Sequence, residues 1–160
     1  MESNLRTTIL NCIRVILGGI FLWASWDKIL APEAFAQIIE NYQLLPDALI
    51  PAVAVLLPWV EAVCGLCLIT GFGAGGAALI VSALMVVFIG ALAVNLFRGI
   101  DVNCGCFSVD ASEPGNTPLE IGRDVVILAA AVWVMVGQTL KTGRQSAAQP
   151  LAPHGEESRL

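Results

Sequence analysis

The chain has 160 residues, 57% of them hydrophobic and only 13% charged, where an ordinary soluble domain carries about a quarter charged residues. Its net charge of −5 is spread over loops and tail, and no basic patch points to nucleic acid. The length suits one domain, and the apolar residues fall in long blocks that exclude the short alternating runs of a water-soluble core.

A helix crossing about 30 Å of hydrocarbon needs about 20 apolar residues, and four segments meet that requirement. The first, Ile9 to Trp26, is interrupted only by Arg14. The polar pair Asp27 and Lys28 follows with no small-residue cleavage site, so the segment reads as a retained helix instead of a signal peptide. The second, Ala48 to Phe72, holds one charge, Glu61; the third, Ala77 to Phe97, holds none. The fourth, Leu119 to Leu140, carries Arg123 and Asp124 near its start. Hydrocarbon offers the backbone no hydrogen-bond partners, so helices are the form this pattern permits. The expected fold is an all-α integral membrane bundle of four helices over residues 8–141, followed by a disordered tail over 142–160.

Between the first two segments, Phe35, Ile38, Ile39 and Tyr42 recur at helical spacing opposite Glu33, Gln37, Glu40 and Gln43. This predicts a short amphipathic helix lying in the interface, either as a cap on the bundle or as a lid over a site. Gly71, Gly73, Gly75 and Gly76 leave room only for a tight reversal between segments two and three. Four spans put both termini on one side. Lysine and arginine counts do not choose that side, since Arg6, Lys141 and Arg144 balance Lys28, Arg98 and Arg123.

The most specific motif is Cys104-Gly105-Cys106, just beyond the third segment at the water boundary. Glycine gives the backbone freedom for a small disulfide ring, and a strained, exposed disulfide exchanges readily. Arg98 and Arg123 at the same rim would favour the thiolate. Thiol–disulfide exchange at Cys104 and Cys106 is the leading interpretation; a static disulfide and soft-metal binding by two thiolates are the alternatives. No metal set is expected, because the single histidine, His154, lies in the tail.

Cys64 and Cys67 form a Cys-x-x-Cys within segment two, in register with Glu61. Low dielectric disfavours thiolates there, so packing is expected of them, and of Cys12. Cys64 would lie roughly 24 Å from the loop side, too deep for direct exchange with Cys104 and Cys106. If both pairs are redox-active, a mobile carrier such as quinone must link them.

Arg14 and Glu61 are charges inside apolar spans, which normally face the bundle interior and find a partner. A salt bridge between them is one expectation; a protonated Glu61 donating a hydrogen bond, or a plain helix-orienting contact, are others. Asp27, Lys28, Asn95, Arg98, Arg123 and Asp124 are expected on a solvated rim, with Arg123-Asp124 facing Lys28 or Asp27 across the bundle. Trp23, Trp26, Trp59 and Trp133 suit interfacial anchoring or packing, and Gly18 and Gly19 offer a small-residue face for dimerisation.

Taken together, the four spans, Pro32-Glu33-Ala34-Phe35 with the stretch Tyr42 to Pro46, Glu61-x-x-x-Gly65, Asn103-Cys104-Gly105-Cys106-Phe107 and Gly122-Arg123-Asp124 resemble the DoxX and MauE membrane proteins over about residues 8–140. The Cys-Gly-Cys-Phe segment points to the MauE-like, redox-associated branch. The resemblance implies a multi-pass protein of the bacterial inner membrane, both termini cytoplasmic and the cysteine loop periplasmic. It also implies disulfide chemistry with a thioredoxin-like or thiol-containing partner, as in maturation of methylamine dehydrogenase; some DoxX relatives use quinone as acceptor. The alternative is a non-catalytic membrane subunit, or a soft-metal module, docking a periplasmic partner. Nothing in the resemblance assigns a role to Cys64 and Cys67.

Overall fold

In a computed structural model of the chain, the backbone is described over residues 2–99 and 117–147, and side chains over 5–99 and 119–140. Five α-helices follow in order: α1 Glu2–Leu30, α2 Pro32–Asn41, α3 Ile50–Thr70, α4 Ala74–Phe97 and α5 Thr117–Ala147, with a 3-10 turn at Asp47–Leu49 before α3. Every apolar block therefore becomes helical. Three stretches among the described residues are long and apolar enough to cross a membrane: Leu5–Leu30, Asp47–Thr70 and Ala74–Phe97. The fourth apolar segment lies within α5, which runs on through Thr142 to Ala147, into the stretch expected to be tail.

The helices pack in a ring, α1 on α3, α3 on α4, α4 on α5 and α5 back on α1. Their shared core takes Leu17 and Phe21 from α1, Cys64 and Leu68 from α3, Ala78, Val81 and Met85 from α4, and Ile127, Ala131 and Val134 from α5. The outer surface is equally apolar, with Trp23, Trp26, Leu56, Phe72, Val87, Phe97 and Val126 all exposed. Water would not tolerate so continuous an apolar surface, whereas lipid makes it the expected exterior.

Two close approaches set the packing. Where α1 meets α3, Gly18 and Gly65 stand back to back: a Cβ on Gly18 would fall 2.6 Å from the Gly65 carbonyl oxygen and 2.8 Å from Ile69 Cγ1, and one on Gly65 would fall 2.9 Å from the Gly18 oxygen. Small residues let helix backbones approach this way in lipid, where van der Waals contact drives association. Gly18 thus serves the inside of the bundle, while Gly19, with nothing within 4 Å, lies open. The α3–α4 reversal is tighter than the glycine run suggests. It uses residues 71–73 alone, with Gly71 (φ 86°) and Gly73 (φ 60°) in the left-handed region that favours glycine, while Gly75 and Gly76 already belong to α4.

The segment after α1 is helical, forming α2, with proline in its first turn. Phe35, Ile38 and Tyr42 are buried, Ile39 is half-buried, and Glu33, Gln37, Glu40 and Gln43 are exposed; α2 rests mainly on α3 and touches α1.

Replacing Gly65 with valine forces the α1–α3 contact apart and is expected to cost about 1–3 kcal/mol. Thermal unfolding in detergent checks this, with Gly19→Ala, which meets no neighbour, expected to leave the transition unchanged or slightly higher.

Candidate functional site

Three ionisable side chains, Lys28, Glu61 and Asp124, are buried inside the bundle around one cavity. Lys28 Nζ donates to both carboxylate oxygens of Glu61, at 2.9 and 2.8 Å, and each side chain is only 2% exposed. Lys28 therefore does not belong to a solvated rim, and Glu61 is paired with it and not with Arg14. The cause is directional. A helical side chain leans toward the N-terminus of its own helix. Lys28, in the last turn of α1, thus reaches back into the bundle, while Glu61 on the oppositely running α3 reaches toward the end where Lys28 sits. Two residues whose backbones differ in depth meet midway.

Aromatic rings complete the seat of the ammonium. Phe35 of α2 lies with its ring centre 5.1 Å from Lys28 Nζ, and Phe88 of α4 at 5.7 Å, both within cation–π range. Phe35 is itself 1% exposed, so α2 covers the ion pair from outside. Asp124 of α5 is fully buried and within electrostatic reach of Lys28, as the expectation that Arg123-Asp124 faces Lys28 anticipated. Its neighbour Arg123, whose side chain is 36% exposed, curls back to it: Nε and Nη2 both donate to Oδ1, at 3.2 and 3.1 Å. A small cavity of about 20 Å³ lies between these groups, lined by Ile20, Phe21, Ala24, Lys28, Glu61, Met85, Asp124 and Ile127.

Asn95 of α4 is also fully buried, with neither amide atom hydrogen-bonded. For Lys28, Asn95 and Asp124 alike, the solvated-rim expectation is replaced by burial. Arg98 is exposed at the C-terminal end of α4, and Asp27 is half-buried beside Trp23 and Trp26.

Arg14 stands at the other end of the bundle. A Cβ on Gly71 would fall 2.6 Å from Arg14 Nη1, so the guanidinium lies at the C-terminal end of α3, where the helix dipole favours a cation. The three cysteines within the described residues are free thiols. Cys64 is buried in the core and Cys67 half-buried, whereas Cys12 is exposed on the outer face and not packed as expected. Among the described residues no group of three or more His, Cys, Asp or Glu side chains gathers to hold a metal. Cys104 and Cys106 lie outside the described residues.

Apolar helices with an apolar exterior and a buried, aromatic-covered ion pair define a helical membrane protein with several spans. The chain belongs to the MauE family: the family described as methylamine utilisation protein MauE matches residues 6–137. It is similar to the methylamine utilization protein MauE of Paracoccus denitrificans, 33% identical over 83% of this chain and 72% of that one. The corresponding protein of Paracoccus versutus is 38% identical over 82% and 72%, and that of Methylophilus methylotrophus 37% identical over 66% and 57%. No solved structure matches the chain.

Removing one member of a buried pair strands the other charge, at a cost of about 3–5 kcal/mol. Glu61→Gln is therefore expected to lower unfolding stability in detergent by that order. The same change at exposed Glu33 should stay within about 0.5 kcal/mol.

Proposed function

We propose that this chain is a membrane thiol–disulfide redox protein that uses Cys104 and Cys106 on a thioredoxin-like or thiol-containing periplasmic partner. The observation that carries this is where the pair falls: inside the region matched by the MauE family, between the end of α4 at Phe97 and the start of α5 at Thr117. Two cysteines flanking one glycine suit a disulfide that opens and closes easily. In this account α5 is a fourth span, α2 lies in the interface, and both termini are cytoplasmic in a bacterial inner membrane. The relatives are named for methylamine utilisation, and a part in maturing an enzyme of that use is the physiological setting proposed here.

The chemistry is an exchange. A thiolate of Cys104 or Cys106 attacks a disulfide sulfur, or a partner thiolate attacks theirs, through a mixed disulfide in which one S–S bond forms as another breaks. Net turnover transfers two electrons and needs an acceptor or donor, for which a quinone is the proposed class. The interior cavity, about 20 Å³, is too small for a quinone ring. A groove of about 580 Å³ on the outer face of α1, beside Gly19, Trp23, Trp26 and Asp27, has the room, and a quinone bound there would supply a two-electron acceptor from the lipid phase. Cys64 and Cys67 are packing residues of α3 in this scheme.

The test is a trap. With Cys64 and Cys67 replaced by serine, Cys106→Ser should leave Cys104 joined to a partner in an adduct that reductant dissolves and that Cys104→Ser abolishes. A native pair that stays oxidised under all conditions and traps nothing would contradict the proposal.

A further inference from the structure

We propose that the cavity between Lys28, Glu61 and Asp124 is a binding site for a single water molecule, which joins the buried ion pair to Asp124 and so makes a continuous donor–acceptor path from the bundle interior to Arg123. The site stands on the geometry of the bundle and does not depend on the thiol chemistry.

One water needs roughly 10–15 Å³ of room and two to four polar partners. The cavity offers about 20 Å³, and three of the residues that line it, Lys28, Glu61 and Asp124, are ionisable. Each comes from a different helix and is at most 2% exposed. The rest of the lining is apolar, so a water held there has the three charged groups as its partners and nothing to compete with them.

Charge argues in the same direction. Lys28 gives two of its three donors to Glu61. Its remaining proton is the one a water can accept, while that water donates to a carboxylate. Lys28 is one buried cation against two buried carboxylates, and the second cation, Arg123, is the member that reaches the outside. Among the described residues, α2 contributes Phe35 and α4 contributes Met85 and Phe88 to the surroundings of the site, none of them ionisable. A polar bridge to Asp124 joins the two ion pairs into one cluster, in surroundings where an unshared charge is expensive. Protons on this path exchange without any change in oxidation state: the water takes one from Lys28 or a protonated carboxyl as it gives one to Asp124.

Infrared difference spectra of the full chain in lipid, recorded in ordinary water and in ¹⁸O-labelled water, test this. The expected result is a narrow O–H stretching band that shifts with ¹⁸O, moves in frequency in Asp124→Asn, and falls at least tenfold in Ala24→Leu, which fills the room and keeps all three charges. Ile127→Phe fills it from α5 and gives the same loss should Ala24→Leu not fold. Absence of an ¹⁸O-sensitive band in the native chain overturns the proposal, as does a band that a folded filled-cavity variant leaves unchanged.

Discussion

An ammonium and a carboxylate buried together in hydrocarbon govern the arrangement of this bundle. Lys28 and Glu61 meet at 2.8 Å with neither side chain more than 2% exposed, and each would be costly alone. Because one sits on α1 and the other on α3, the pair fixes the register of those two helices at one end, and the back-to-back glycines Gly18 and Gly65 fix it further along. Phe35 then brings α2 over the ammonium, Phe88 adds α4, and Asp124 adds α5. Each described helix contributes a residue to the surroundings of this one charge. A buried ion pair often adds little net stability compared with apolar packing, and its best-attested use is specificity. Here the alternative registers of apolar helices sliding in lipid are what it selects against.

The arrangement also separates two kinds of polar feature. The charge cluster is enclosed by α1 to α5, while the Cys-Gly-Cys motif belongs to the chain between α4 and α5. Arg123 lies between Cys106 and Asp124 in sequence, pairs with buried Asp124, and is itself partly exposed.

Span lengths made the helices legible in the sequence, since apolar blocks of sufficient length admit one backbone solution in lipid. The α2 face was legible for the same reason, as Phe35, Ile38 and Tyr42 follow helical spacing and are the residues found buried. The charge cluster was legible only in part. Their places at neighbouring helix ends left Asp124 facing Lys28 or Asp27, and the partner of Glu61 was not legible, because depth counted along a helix axis ignores the lean of long side chains toward the helix N-terminus. On the backbone count Lys28 belongs to the rim and Arg14 looks like the nearer cation; once the side chains are extended in opposite senses the order reverses. Arg14 was misplaced for a related reason, since its neighbour is the C-terminal end of α3 at Gly71, a backbone feature that carries no charge in the sequence. The outward Cys12 shows that composition gives the class of environment and not the direction a side chain takes within it.

If Lys28 and Glu61 hold α1 and α3 in register as one unit, their contributions cannot be independent. A double-mutant cycle of Lys28→Met, Glu61→Leu and the combination, read as unfolding free energy in detergent, measures this directly. The account predicts that the double variant is more stable than either single one, because removing both charges leaves none stranded. Two single losses that simply add in the double variant would contradict it.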